Sequence, residues 1–599
     1  MSKTQLFLFS IGPVQSFIKQ ARKTRDLYAG SQMLSELVSQ GIVACEQAAK
    51  AQGAKVKHLF PYFEKKPESL PNRFIVKIGF PTGPSATQLR ALAGNSEGGV
   101  EYAVRECFRG MAEKALKNAS VNVPPKGFWA QIEQHLDIHW AFQPVGTDGY
   151  KSAYLALERL LGSVKNVRPF GQYQYQDGVP FGERGRKCSM DGENNALFFG
   201  HGSNKNYISY NGGLPIETAN ENEGLSAVSF VKRYWKQEAF PSTAKVATMN
   251  LSFEEEDFDN KHYELLFKGS SNFDEQLYFE ENLNEQYFKK NGLRNLIPNL
   301  PDIRNKRQLI FGGKKLCSYY ALIAFDGDNM GKWLSGKMLP SGTDLEGFHQ
   351  KLSLRLSVFA GKAEAIVDDT NRGKTIYAGG DDYLGFINLQ YLFEVVQELR
   401  KAFHKEVNGD EADVKLTFSA GIVVAHYKEP LGMVVQKARD MEKASKEQGD
   451  RNAFGLAVLK ASGEVQQTVY KWNENEDGLD GCSNWEALKH VFDGLREEVY
   501  SNKYVVNLTA ELHRLAGIEL NEVDEQTPNA KAVTDGVKLE IRRLIGKARN
   551  PSKSISDEQQ QEMVGKVCAL NDNAPPPKTQ NFTHALQIAD FLHRKITNN

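Results

Sequence analysis

The chain has 599 residues, and its 74 Lys and Arg balance its 74 Asp and Glu, so the formal net charge is zero. That balance excludes a protein that coats nucleic acid by bulk charge, and a composition of 41% hydrophobic and 10% aromatic residues excludes an acidic, disordered solvator. The length asks for several cores rather than one, roughly three to five domains.

Cys45, Cys107, Cys188, Cys317, Cys482 and Cys568 are scattered without a CxxC pair. This argues against a disulfide scaffold or a four-Cys zinc site and for a reducing compartment. The opening MSKTQLFLFSIGPVQ has too short an apolar run to span a bilayer and lacks a cleavage pattern. The chain reads as cytoplasmic, with no membrane contact.

In chain order, QLFLFS (5–10) predicts a buried strand, then the turn IGPV, then a helical stretch from Gln15 carrying Lys19, Arg22, Lys23 and Arg25. RFIVKIGF (73–80) predicts a second strand, 86–118 predicts helices, and FWAQIEQHLDIHWAF (128–142) has amphipathic helical spacing. Together these make a first α+β domain, 1–150. Residues 151–300 gain Gly, Asn, Tyr and Gln and lose periodicity, as a linker-rich middle domain would. The acidic run at 253–264 there reads as a solvated face.

From residue 301 to 465 the pattern sharpens. YYALIAF ends in DGDNMG; a helix over 345–367 follows; KTIYA and YLGFINL flank the turn GGDD as a hairpin. A helix at 390–406, the strand KLTFSAGIVVA (415–425), a helix at 430–447 and the strand AFGLAVLK complete a βαββαβ order. This predicts an antiparallel, ferredoxin-like sheet with helices on one face. Residues 466–599 read as helical, with interruptions at 521–530 and 572–581, the latter containing NAPPPKT.

In such a sheet the first strand neighbours the hairpin, so Asp326 and Asp328 can meet Asp381 and Asp382 at one edge. Carboxylates that close repel one another and need a cation, and an all-oxygen set suits two Mg2+ or Mn2+ ions. Two such ions support in-line nucleotidyl transfer on a triphosphate. Gly379 and Gly380 let the turn take positive φ and a nucleotide approach the backbone. Lys443, Lys446 and Arg451 lie near the end of the last helix before a strand, where cations can reach β- and γ-phosphates. Arg439 receives only the reading of a solvated helix charge.

DGD with YAGGDD, TFSAGIVVAHYKEPL and ARDMEKASK resembles the catalytic Palm of the large subunit of type III CRISPR effector complexes, in the Cmr branch, and more distantly diguanylate cyclases. FSIGPVQSFIKQARKTRDLYAGSQMLSELV, LPNRF (70–74) and LSAVSFVKRYW (225–235) resemble the family's first Palm-like and middle regions. The resemblance implies an α+β multidomain chain with two ferredoxin-like Palm domains, a middle domain and a helical C-terminal domain. It implies partners, namely CRISPR RNA, target RNA and smaller subunits. It also implies that target RNA switches on a Palm that builds cyclic oligoadenylates from ATP, or in some members joins AMP to S-adenosylmethionine. A scaffold subunit without chemistry is the alternative of another class. By resemblance Asp326, Asp381 and Asp382 are metal carboxylates, with Asp328 a further candidate. Gly379 and Gly380 face the nucleotide, and Gly30 and Ser31 are candidates for a second nucleotide at a first Palm that has no acidic pair. Two departures stand out. The first Palm motif starts at residue 6 and none of the 12 histidines precedes an Asp, so no HD nuclease activity is expected. The family's zinc motif reads KCSMDG here, with Asp191 where a second Cys would stand, which argues against zinc and for Cys188 as a single buried cysteine.

Overall fold

The computed structural model describes the chain apart from residues 1, 63–68, 168–174, 177–178, 181–184, 201–212, 217–222, 237–238, 252–262, 264–273, 312–315, 410–413, 474–482, 517–527 and 597–599. The fold is α+β and multidomain, with two ferredoxin-like sheets and a helical C-terminal region.

The first sheet holds β1 (Thr4–Gly12), β2 (Lys55–Phe60), β3 (Arg73–Gly79) and β4 (Asp137–Pro144), all antiparallel, in the order β2–β3–β1–β4. On one face lie α1 (Thr24–Ala51) and α2 (Val100–Asn118), which bury Met33, Leu37, Val104 and Phe108 against Phe7 and Phe9. The helix expected over 128–142 is corrected. Helix α3 (Phe128–His135) stops short, and Asp137–Pro144 is β4. Ile138, Trp140 and Phe142 fit a period of two as well as a helical one, and the open edge of β1 decides between them. Phe142 pairs with Phe7 in register and stacks on it at 4.6 Å. The helical stretch over 86–118 divides into Ala86–Ala93 and α2 at the intervening glycines. Helix α4 (Gly149–Asn166) covers the other face through Leu157 and Leu161, so this unit continues past residue 150.

The middle region is folded onto the first sheet by α5 (Ala227–Tyr234), which packs against α1, α2 and α3. Arg233 of α5 is fully enclosed and pairs with Asp26 and with Glu223, each at 2.6 Å. Its neighbour Lys232 donates to the carbonyls of Phe17, Ile18 and Gln20. The acidic run at 253–264 lies outside the described residues except for buried Tyr263.

The second sheet holds β5 (Tyr319–Gly327), β6 (Gly373–Ala378), β7 (Tyr383–Asn388), β8 (Phe418–His426), β9 (Ala453–Leu459) and β10 (Val465–Lys471), in the order β6–β7–β5–β8–β9–β10. Three expectations change here. The β8–β9 pair is parallel, and β10 adds an unanticipated strand past residue 465. Helices also cover both faces, not one. α6 (Leu345–Val367) and α7 (Leu392–Phe403) pack on Ile323 and Phe325, while α8 (Leu431–Glu447) packs on Leu322 and Ala324. A parallel β8–β9 connection needs a crossover helix, and α8 supplies it. This explains why YYALIAF is apolar at every position instead of alternating.

The C-terminal helices between residues 483 and 596 pack on the α6–α7 face around Trp472 and Trp485, and NAPPPKT falls between two of them. The interruption at 521–530 lies largely outside the described residues. The two sheets are joined through α6: Glu346 accepts from Lys57 at 2.7 Å and Lys77 at 2.8 Å, and His349 Nδ1 pairs with the Tyr150 hydroxyl at 2.7 Å. Among the described residues no helix is long and apolar enough to cross a membrane.

Candidate active site

The apolar body of β5 is zipped between β7 and β8, and its last residues emerge at the sheet edge, where Asp326 lies opposite Ser419. The β6–β7 turn closes through Gly379 N–H donating to Asp382 O at 2.9 Å, with Gly380 at φ +108°. Gly327 N–H donates to Asp381 O at 3.1 Å and so ties the two acidic segments together. A Cβ on Gly327 would lie 3.0 Å from Asp381 Cβ, which is why this approach needs glycine.

Helix α8 brings cations to the same edge. It sits unusually close to β8, because a Cβ on Gly421 would lie 2.0 Å from Ala438 O. That seating fixes one face of α8, bearing Arg439, Glu442 and Lys446, over the carboxylates. Arg439 Nη1 donates to Asp382 Oδ1 at 2.9 Å and to Glu442 Oε2 at 2.7 Å. Lys446 Nζ donates to Asp326 Oδ2, and to Glu442 Oε1 at 3.1 Å. Beside the turn, Gly379 and Gly380 line a cleft together with Phe60 and Pro61 of the first domain and Ser353 and Leu356 of α6.

Burial, followed by the charge of Asp326, pushes the Asp381 carboxyl up to about 7. Burial pushes Asp382 up to about 6 against the pull of Arg439. Asp326 is also raised, by burial, although Lys446 opposes it. Asp326, Asp381, Asp382 and Glu442 carry four negative charges when ionised against the two positive charges of Arg439 and Lys446, so two remain unbalanced. This all-oxygen, charge-deficient set fits hard divalent cations. As placed, Asp326, Asp382 and Glu442 are turned to Lys446 and Arg439, and among the described residues no three ligating side chains close around one point.

The sequence candidates sort as follows. Asp326, Asp381, Asp382, Gly379, Gly380 and Lys446 meet at this edge. Asp328 is 2% exposed, and its oxygens accept from Thr417 Oγ1 (2.7 Å), Ser419 Oγ (2.7 Å) and Asn452 N–H (2.9 Å). Lys443 points away: its side chain is 71% exposed and pairs with Glu447. Arg451 lies in a run of positive φ from Asp450 to Asn452, a turn that carries Asn452 to Asp328. Gly30 and Ser31 lie in the interior of the first domain; Ser31 is fully enclosed, and a Cβ on Gly30 would meet Lys232 Cε at 2.5 Å. Cys188 is buried beside Ser229 Oγ (3.3 Å), and Asp191 accepts from Glu193 N–H, Asn194 N–H and Ser226 Oγ. Hydrogen-bonded this way, Cys188 and Asp191 do not fit a zinc site.

Arg439 is corrected from a solvated charge to a direct partner of Asp382, and Glu442 was not anticipated at all. The signal for both is mid-strand glycine: Gly421 and Gly455 mark where a helix backbone comes close.

Residues 319–455 match the second palm domain of Cas10/Cmr2, and residues 6–116 match the N-terminal part of the CRISPR-associated protein Cmr2. The chain is 22% identical to the CRISPR system Cmr subunit Cmr2 of Pyrococcus furiosus, over 78% of this chain and 63% of that protein. It therefore spans less than two thirds of that relative's length. Its fold is similar to a chain of the type III-B Cmr-beta complex in the apo state, with TM-score 0.61 and 14% identity over 98% of this chain and 82% of that one. A chain of the type III-B Cmr-beta complex bound to cognate target RNA gives TM-score 0.58 and 12% identity over 99% of this chain and 83% of that one. The chain thus resembles the large, GGDD-Palm subunit of type III-B complexes.

Proposed function

We propose that this chain is the signalling subunit of a type III-B CRISPR RNA-guided complex. On binding of target RNA its second Palm joins ATP molecules through 3′–5′ bonds into cyclic oligoadenylates. The observation that carries this reading is the convergence of Asp326 and Asp381–Asp382 on one sheet edge, faced by Arg439 and Lys446 of α8.

In this reading Asp326, Asp381 and Asp382 hold Mg2+ or Mn2+. The ions, when bound, lower the pKa of the attacking 3′-hydroxyl and neutralise the triphosphate. The chain's own residues do the rest. Gly379 and Gly380 leave room for the nucleotide beside the turn. Arg439 holds Asp382 in position until nucleotide and metal bind, and Lys446 meets the phosphate charge that builds on the leaving pyrophosphate as the new P–O bond forms. Asp328 is a strut that fixes the end of β5, not a ligand. CRISPR RNA, target RNA and smaller subunits are the proposed partners; the relatives named above are the ground for this. With net charge zero, most RNA backbone contact falls to those partners.

The test is reconstitution of the complex with guide RNA, target RNA, Mg2+ or Mn2+ and labelled ATP, with and without S-adenosylmethionine, and identification of products by mass. Oligoadenylates that require target RNA and vanish in Asp381→Ala/Asp382→Ala are expected. Product without target RNA sinks the gating. Product from the double variant sinks the site.

A further inference from the structure

The carboxylates of this site are not bare. Lys446 Nζ bridges Asp326 and Glu442, and Arg439 Nη1 bridges Asp382 and Glu442. Glu442 is 8% exposed and uses one oxygen for each cation. It is anchored because its backbone N lies against Gly421, where an added Cβ would come within 2.4 Å. Asp381 is different: the charge of Arg73 acts on it, but among the described residues no cation forms a close ion pair with it. A divalent ion held jointly by Asp381, Asp326 and Asp382 would have to take the latter two from Lys446 and Arg439. Those cations, still tethered to Glu442, then need another anion. A polyphosphate is the better partner for both, since its bonds to them are charge-assisted and several oxygens are offered at once.

We infer that Lys446 and Arg439 are exchangeable counter-ions: they pair with the metal carboxylates and transfer to the phosphates when nucleotide arrives, so that nucleotide and metal each promote the other's binding. Glu442 is the pivot on which both side chains turn. Coupling of this kind is reciprocal by linkage. Metal loading is thereby tied to the arrival of substrate. This inference rests on the reading of the site as a metal-dependent nucleotidyltransferase.

Each half of the exchange is measurable without the other ligand, in the full-length chain. Mn2+ binding is followed by the loss of the free-ion electron paramagnetic resonance signal, with no nucleotide present. Lys446→Gln and Lys446→Met are expected to bind Mn2+ about five- to tenfold more tightly than the unaltered protein, because the competitor for Asp326 is gone. Binding of α,β-methylene-ATP is then measured in EDTA. With the buffer above about pH 8, where Asp381 is ionised, Asp326→Asn releases Lys446 and is expected to tighten it about fivefold, whereas Asp381→Asn removes the same charge, frees no cation and tightens it less.

Mn2+ affinity unchanged or weakened in both Lys446 variants overturns the exchange. So does equal tightening by Asp326→Asn and Asp381→Asn, which reports only lost negative charge. These failures differ from failure of the underlying reading. In the latter case the unaltered protein binds no Mn2+ that Asp381→Asn abolishes, and both ideas fall together.

Discussion

Arg439 reaches Asp382 at 2.9 Å and Glu442 at 2.7 Å through the same guanidinium nitrogen. The Arg439 side chain is 23% exposed and that of Asp382 28%, so water screens the pair and its contribution to stability is small. Its value lies in pre-setting the site: Asp382 follows two glycines and has no other hydrogen-bonded side-chain partner among the described residues, so Arg439 holds that carboxylate in position until nucleotide takes the guanidinium over, as proposed above. Arg439→Gln is expected to lower the rate of the proposed oligoadenylate synthesis roughly tenfold or more. The thermal unfolding midpoint should stay close to that of the parent. Arg439→Lys keeps the charge but not the planar geometry and should recover only part of the rate. Full activity in Arg439→Gln, measured at saturating ATP, would remove Arg439 from the site.

Asp328 offers a second test, because it separates a strut from a ligand. Its three hydrogen bonds join the end of β5 to the start of β8 and to the turn before β9. Asp328→Ala leaves two hydroxyls and a buried N–H without an acceptor, a cost of roughly 3 kcal/mol. Backbone hydrogen exchange should rise around residues 326–330 and 450–453. Mn2+ affinity should stay within about twofold of the parent, whereas loss of a ligand, or of a group that holds a ligand's orientation at the metal, costs about tenfold or more. A large loss of Mn2+ binding with unchanged exchange would make Asp328 a ligand.

The acidic half of the site was legible in the sequence because its spacing follows the chain. DGD ends one strand and GGDD turns the neighbouring hairpin, so topology alone brings them together. The cationic half was not legible for the opposite reason. RDMEKASK alternates signs in the way a solvated helix does, and nothing local says which face meets the sheet. Gly421 settles that by letting α8 descend onto β8, turning Arg439 and Lys446 inward and leaving Lys443 outside. The same limit applies to β4: Ile138, Trp140 and Phe142 fit two periods, and only the unpaired edge of β1 selects the strand. The crossover onto the second face of β5 needed the parallel β8–β9 pair, which no short segment encodes.

Gly421→Ala tests the seating of α8. Its Cβ would lie 2.0 Å from Ala438 O and 2.4 Å from Glu442 N, and backbone atoms cannot step aside as a side chain can. The helix must lift, at a cost of roughly 2–3 kcal/mol. Hydrogen exchange should rise across Leu431–Glu447, and synthesis should fall with it, since both cations ride on that helix. Gly361→Ala, on α6 with nothing within 4 Å of the added methyl, is the control and should stabilise slightly. Parallel behaviour of the two variants would mean that the close approach at Gly421 carries no weight.

Asp381 makes a prediction about pH. Burial first, and the charge of Asp326 second, hold its folded-state pKa at about 7, above the ordinary 3.8. The folded chain therefore binds this proton more tightly than the unfolded chain. Its contribution to stability is complete below the unfolded pKa and is lost as pH rises through about 7. Asp381→Asn mimics the protonated form at every pH. In EDTA the unfolding midpoint of Asp381→Asn should exceed that of the parent by a margin that widens from about pH 5 to about pH 8. Saturating Mg2+ should narrow the margin at the upper end, because a bound cation takes over the neutralising role of the proton. Midpoints that run parallel across this range, with and without Mg2+, would show that Asp381 is not the carboxylate under strain at this edge.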